Sequence, residues 1–186
     1  PAFGRGRAPL PGAGGTAGMS GTATVAVVMG VSGSGKTTLA RALAAAWTAT
    51  FLDADDFHSD EARAWMGSGR PLTDAMRVPW VERIAAELRR RVAAGERVTL
   101  AFSGLRRGHR DRLRATGLPM RFLFLEGDAS LVAERMRARR GHYMPVSLLD
   151  SQFDALEDPR GEADVTALAV ALAPEEQLAQ ALAALV

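Results

Sequence analysis

The stretch Gly30-Val31-Ser32-Gly33-Ser34-Gly35-Lys36-Thr37 constrains this chain more than any other part of its sequence. It fills the pattern G-x-x-x-x-G-K-[ST], whose glycines let successive backbone N–H groups point inward as an anion nest. The helix that follows such a loop adds its positive end. The pattern is meaningful only between a strand and a helix, and both are legible. Residues 22–29 (TATVAVVM) form a β-branched apolar run that reads as a buried parallel strand, and apolar residues recur at helical spacing over 37–47. Lys36 is the single lysine of the sequence; arginine supplies every other fixed side-chain cation. A compact ammonium fits a tight phosphate loop where a planar guanidinium does not. Gly30, Ser32, Gly33, Ser34, Gly35, Lys36, Thr37 and Thr38 are therefore the candidate nucleotide-phosphate residues, and the Thr37 hydroxyl is a candidate ligand for Mg2+.

Downstream, strand-like runs alternate with helical ones. Strands are expected at 50–56, 97–104, 121–127 and 164–172. Helices are expected at 78–95, with Pro79 in the first turn and Gly95 as the stop, and at 106–117, 128–141, 145–159 and from Pro174 onward. The alternation predicts an α/β fold with a parallel sheet. Residues 1–22, rich in Gly, Pro and Ala without apolar period, are expected to be a disordered extension, leaving 23–186 as one domain. No cysteine is present, which excludes disulfides, thiolate metal sites and cysteine nucleophiles. A net charge of +2 without a concentrated basic stripe argues against nucleic acid as a partner. No apolar run has the roughly 18 residues expected of a membrane span.

A phosphate loop specifies nucleotide binding, not a reaction. A guanine-specific GTPase needs an N-K-x-D motif, and the chain has no second lysine. A motor or transport ATPase usually shows an apolar strand ending in acid after the middle of the domain, whereas VTLAFSG ends without one. Here the acids come early, in LDADD after the second strand, which suits a small-molecule kinase. On an extended chain Asp53 and Asp55 point the same way, so one can support Mg2+ and the other accept a proton from an attacking hydroxyl; a solvated acidic turn is the alternative. Arg135 and Arg139 share one helix face and can clamp phosphates from a closing lid, or simply face solvent. Trp65, Trp80 and the FLFL run read as core, and Arg89–Arg91 as a solvated helix face.

The motifs MGVSGSGKTTLA, FLDADDFH, MGSGRPLTDAMRVPW, FSGLRRGHRDRLR, LFLEGD and RMRARRGHYMPVSLLDSQFDALEDP together resemble the gluconokinases, small kinases that phosphorylate the 6-hydroxyl of D-gluconate with ATP. The resemblance spans roughly residues 25–160. It implies a three-layer P-loop NTPase fold of nucleoside-monophosphate-kinase type, with a five-stranded parallel sheet flanked by helices and a mobile lid. It implies ATP and Mg2+ as cofactors, a cytoplasmic setting, no membrane partner and a homodimer. Among residues, it implies that Lys36 serves the phosphates catalytically, Thr37 and Asp53 the metal, and Asp55 the gluconate hydroxyl. His58, Arg77, Ser103, Gly104 and His142 would line the acceptor site, and Arg135 and the catalytic Arg139 would serve ATP from the lid, beside Tyr143. Departures from the family pattern are Ala62 for a common Asn, Trp65 for Lys, His109 for Tyr, and Phe102-Ser103-Gly104 for Cys-Ser-Ala. Another small-metabolite kinase, of shikimate or nucleotide type, is the alternative reading, and a non-catalytic nucleotide-binding regulator a further one.

Overall fold

The computed structural model describes residues 22–138 and 146–186. Its elements are β1 (Val25–Met29), α1 (Lys36–Trp47), β2 (Thr50–Asp53), a 3-10 turn (Ala54–Phe57), α2 (Asp60–Gly67), α3 (Asp74–Ala93), β3 (Val98–Phe102), α4 (Arg107–Arg114), β4 (Met120–Glu126), α5 (Ala129–Ala138), α6 (Val146–Asp154), β5 (Val165–Ala169) and α7 (Pro174–Ala183). The strands form one five-stranded sheet in the order β2-β3-β1-β4-β5, parallel at every pairing.

The alternation of strand side chains builds a core on each face of this sheet. Val25, Val27 and Met29 of β1 pack with Trp80, Ile84 and Leu88 of α3 and Leu113 of α4. Ala26 and Val28 point the other way, onto Leu39 and Leu43 of α1 and Ala181 of α7. Every residue of β1 is buried, which is why the strand reads as an unbroken apolar run rather than an alternating one. Each fully buried Val or Leu contributes about 1.5–3 kcal/mol, so the two faces hold β1 rigidly in mid-sheet.

Four local readings are corrected. The second strand stops at Asp53: its carboxylate accepts the Asp55 N–H and curls 54–57 into the 3-10 turn, so Asp55 is not on extended chain. The third helix begins at Asp74, capped by the Thr73 side chain on Met76 N–H, so Pro79 lies in its second turn and not its first. A short helix not anticipated, α2, starts where Ser59 accepts the Ala62 N–H. Trp65 belongs to neither core; it is half-exposed, with its indole N–H on Pro71 O and Arg70 over its ring. Trp80 and 122–125 are in the core as expected. Arg139, His142 and Tyr143 lie outside the described residues.

In a parallel sheet the strand C-termini share one edge, where ligands collect in open α/β folds. That edge carries the phosphate loop after β1, the acidic turn after β2 and the 103–106 segment after β3. Because α3 leads into β3, its own N-terminal turn reaches the same edge.

Candidate active site

The phosphate loop sits between β1 and α1 with Gly30, Gly33 and Gly35 at φ values of 144°, 81° and 104°. Gly33 is required twice over. Its backbone is left-handed, and a Cβ there would stand 2.3 Å from Met136 Cγ of α5. The Lys36 ammonium donates to Val31 O at 2.9 Å, folded over the loop's own rim. Ser34 is buried and its Oγ has no hydrogen-bond partner among the described residues. The Gly30 N–H donates to Ser103 O, tying the end of β3 to the loop.

Asp53 organises the acidic turn. One carboxylate oxygen accepts from Thr37 Oγ1 at 3.3 Å and the other from Asp55 N at 3.1 Å. The first helical turn after the phosphate loop is thereby coupled to the position of Asp55. The Asp55 carboxylate is largely exposed and lies 3.7 Å from His58 Nε2. His58 is held by stacking on Trp80, at 4.5 Å between ring centroids and 14° between planes. The Trp80 indole N–H in turn donates to Ala54 O at 2.6 Å. His58 Nδ1 is buried without a hydrogen-bond partner among the described residues. The His58 contact, assisted by the charges of Lys36 and Arg63, holds the Asp55 carboxyl below its ordinary value of 3.8, so it is ionised at neutral pH.

Of the other expected residues, Arg77 lies one turn before Trp80 on α3, and its Nη1 donates to Asp74 Oδ1 at 3.2 Å. Ser103 and Gly104 fall just past β3, and Gly104 adopts φ 60° against Met29. Thr38 is in the first turn of α1. Arg135 is half-buried on α5, next to Met136.

Gln152, Arg106 and Asp74 at this edge had not been singled out as site residues, and His109 only as a departure from the family pattern. Gln152 of α6 takes hold of the loop across 120 residues, its Oε1 accepting Ser32 N–H at 2.6 Å and its Nε2 donating to Ser32 Oγ at 2.9 Å. Arg106, Asp74 and His109 gather between the starts of α3 and α4, with His109 buried. Burial, and then the charge of Arg77, push the His109 imidazole below its ordinary 6.5, so it is neutral at pH 7. Only the SQF segment had marked Gln152, as one letter of a longer motif.

An anion nest, a lysine, a hydroxyl–carboxylate pair and an ionised carboxylate positioned by a histidine are the parts that phosphoryl transfer to an alcohol requires. Comparison with known proteins agrees. The family model described as an AAA domain matches residues 25–159. A gluconokinase of Arabidopsis thaliana is 41% identical over 167 residues, covering 83% of this chain and 88% of that one. A gluconokinase of Gluconobacter oxydans is 43% identical over 133 residues, 72% of this chain and 75% of that one. The crystal structure of a gluconokinase from Sinorhizobium meliloti 1021 superposes with a TM-score of 0.79 at 44% identity, covering 87% of this chain and 90% of that one.

Proposed function

The chain belongs to the gluconokinase family, and from that premise we infer that it transfers the γ-phosphoryl group of ATP to the 6-hydroxyl of D-gluconate, giving 6-phospho-D-gluconate and ADP. The observation that carries the reading is the line Thr37–Asp53–Asp55–His58, which couples the phosphate loop to a carboxylate poised for an acceptor hydroxyl. Loop N–H groups and Lys36 receive the phosphates. Asp55, kept ionised, orients the attacking hydroxyl and takes its proton as the bond to phosphorus forms. Positioning and charge stabilisation carry most of the rate, because phosphoryl transfer asks little covalent chemistry of the protein.

Thr37 and Asp53 suit Mg2+. Both offer hard oxygen, and they stand 3.3 Å apart beside the loop. An ion held there would keep waters and phosphate oxygens for the rest of its shell. When bound, it would neutralise charge on the β- and γ-phosphates. Arg77 and His58, with Ser103 and Gly104, line the acceptor side. Arg135 serves ATP from α5, and Arg139, for ATP, and His142, for the acceptor, are proposed for the same chemistry from outside the described residues. No helix among the described residues is long and apolar enough to cross a membrane. We propose a cytoplasmic setting and a homodimer as its assembly.

The test is ATP consumption with a panel of D-gluconate, shikimate and nucleoside monophosphates. Turnover on gluconate alone is the expected result. Turnover on shikimate or a nucleotide instead overturns the acceptor assignment, and turnover on none supports a regulator.

A further inference from the structure

Lys36 and Gln152 act on opposite ends of one peptide group. The peptide between Val31 and Ser32 is trans and planar, so its C=O and N–H point in opposite directions. Its carbonyl, Val31 O, accepts the Lys36 ammonium at 2.9 Å and the Ser34 N–H at 3.3 Å. Its N–H, on Ser32, donates to Gln152 Oε1 at 2.6 Å. Chemistry fixes which way the Gln152 amide faces: a backbone N–H can only donate, so the carbonyl end of the amide must meet it. The other end, Nε2, donates to Ser32 Oγ at 2.9 Å, so both polar ends of the side chain bind one residue.

Gln152 is itself firmly placed. Leu149 of α6 is buried in a small core with Val31 of the loop and Val132 and Ala133 of α5, and Phe153 and Met136 pack against it. Leu149 and Phe153 are four residues apart and Leu149 and Gln152 three, so one face of the helix carries the apolar anchors and the amide. Val31 thus has its side chain in that core and its carbonyl beneath Lys36. Apolar packing already holds α6 against the loop. The amide adds what packing lacks, a direction: it sets which way the Val31–Ser32 peptide faces. Gly30 and Gly33 bracket this unit at φ 144° and 81°, and the chain on either side resists its tilting little.

We propose that Gln152 is a positioning residue for phosphoryl transfer: it fixes the orientation of the Val31–Ser32 peptide and, through that peptide's carbonyl, the place of the Lys36 ammonium. Once the amide is removed, the Ser32 N–H needs a new acceptor. The peptide can turn toward one, and its carbonyl then swings away from Lys36. This role rests on the phosphoryl-transfer reading above and extends it to α6, a helix that the phosphate-loop motif does not include.

The experiment is a cycle on kcat with ATP and D-gluconate, using wild type, Gln152→Met, Lys36→Ala and the double variant. Methionine keeps the length and bulk of the side chain and removes its hydrogen bonds. With Lys36 present, Gln152→Met is expected to lower kcat about 10-fold, the scale of one net hydrogen bond, with KM for gluconate within about threefold of wild type. With Lys36 already alanine, the same substitution should change kcat by less than about twofold, because it acts through the lysine. A merely structural role lowers both backgrounds by one factor, since loss of folded protein does not depend on Lys36. Equal factors in both backgrounds, or no loss beside Lys36, overturn the positioning role. Gln152→Asn keeps the amide but falls one methylene short of Ser32. Carried through the same cycle it should give the same pattern, so the test stands where the methionine variant folds poorly. Calorimetric titration of ATP onto the four proteins reads the coupling without an acceptor: Gln152→Met should weaken ATP about threefold, and only where Lys36 is present. ATP binding that shows this coupling in a protein that phosphorylates no gluconate refutes the acceptor assignment alone. ATP binding weakened equally in both backgrounds, or in neither, refutes the positioning role.

Discussion

Arg106 and Arg110 stand four residues apart at the start of α4, and their guanidiniums are in opposite states. Arg110 is fully buried and saturated: it donates to Gly104 O at 2.7 Å, Leu105 O at 3.2 Å and Glu157 O at 3.2 Å, and pairs through Nε and Nη2 with Glu162. Arg114, one turn on, also pairs with Glu162 and with Asp164 and lies over the Phe122 ring. Together they staple the 103–106 segment, the stretch after α6 and the entry to β5 into one block. Arg106 lies at the rim of that block, partly exposed and held only by the longer ion pairs to Asp74 at 3.4 Å and Glu157 at 3.9 Å. The same side chain thus serves as framework when its donors are spent inside the protein and stays loosely held when its partners are exposed.

If that division is real, substitutions should separate stability from activity. Arg110→Ala removes a fully buried guanidinium, leaves three carbonyls without its donors and Glu162 with Arg114 alone, and should destabilise the fold by about 3–5 kcal/mol, read as a lower denaturant midpoint at unchanged slope. A shift under about 1 kcal/mol would dissolve the distinction between framework and rim. Lys36→Ala should leave the thermal midpoint in place and lower kcat by at least about 100-fold in a coupled ATPase assay, the scale for losing one transition-state charge donor. Near-normal turnover would remove Lys36 from the chemistry. Asp55→Asn should keep ATP affinity, measured by titration, and lose on the order of 100-fold in transfer, the lower range for a positioned base. Transfer at the parent rate would show that another group takes the proton.

Acid should find the framework before the rim. Burial alone would raise the Glu162 carboxyl, but the Arg110 and Arg114 pairs outweigh it and hold it below its ordinary 4.5. A depressed carboxyl gives stability that is complete above the ordinary value and is lost as pH falls through the depressed one. Unfolding midpoints should therefore begin to drop below about pH 4.5 through this group, and Glu162→Gln, already weakened, should show a shallower decline. Asp55, depressed below 3.8, should put no acid limb on kcat above that value. The smallest effect belongs to Arg90→Ala, which removes the exposed partner of Glu87 while Arg91 remains, and should leave the denaturant midpoint nearly where it is.

What the sequence disclosed was whatever one stretch of chain decides for itself. The phosphate loop, the five strands and the Gly95 stop were legible because neighbouring residues set them. The strand at LDADD was read too long because an extended reading ignores a carboxylate that bonds its own backbone two residues on. Pro79 drew the start of α3 too far along, although Thr73 was a valid cap in plain view. Gln152 on Ser32, and Arg106 beside Asp74, depend on pieces brought together from distant parts of the chain, and no local periodicity encodes them.

The pairing of Gln152 with Ser32 bears on how the chain is made. β1 and its loop leave the ribosome early, yet β1 takes its hydrogen bonds from β3 and β4, and the loop is gripped by a residue synthesised 120 positions later. A nascent chain that has not reached β4 holds its first strand with a bare flank and its loop without a keeper. Such long-range pairing slows folding, and it also makes nucleotide affinity a late acquisition. Since a ligand that binds only the native state stabilises it by mass action, ATP would favour finished molecules over partial ones.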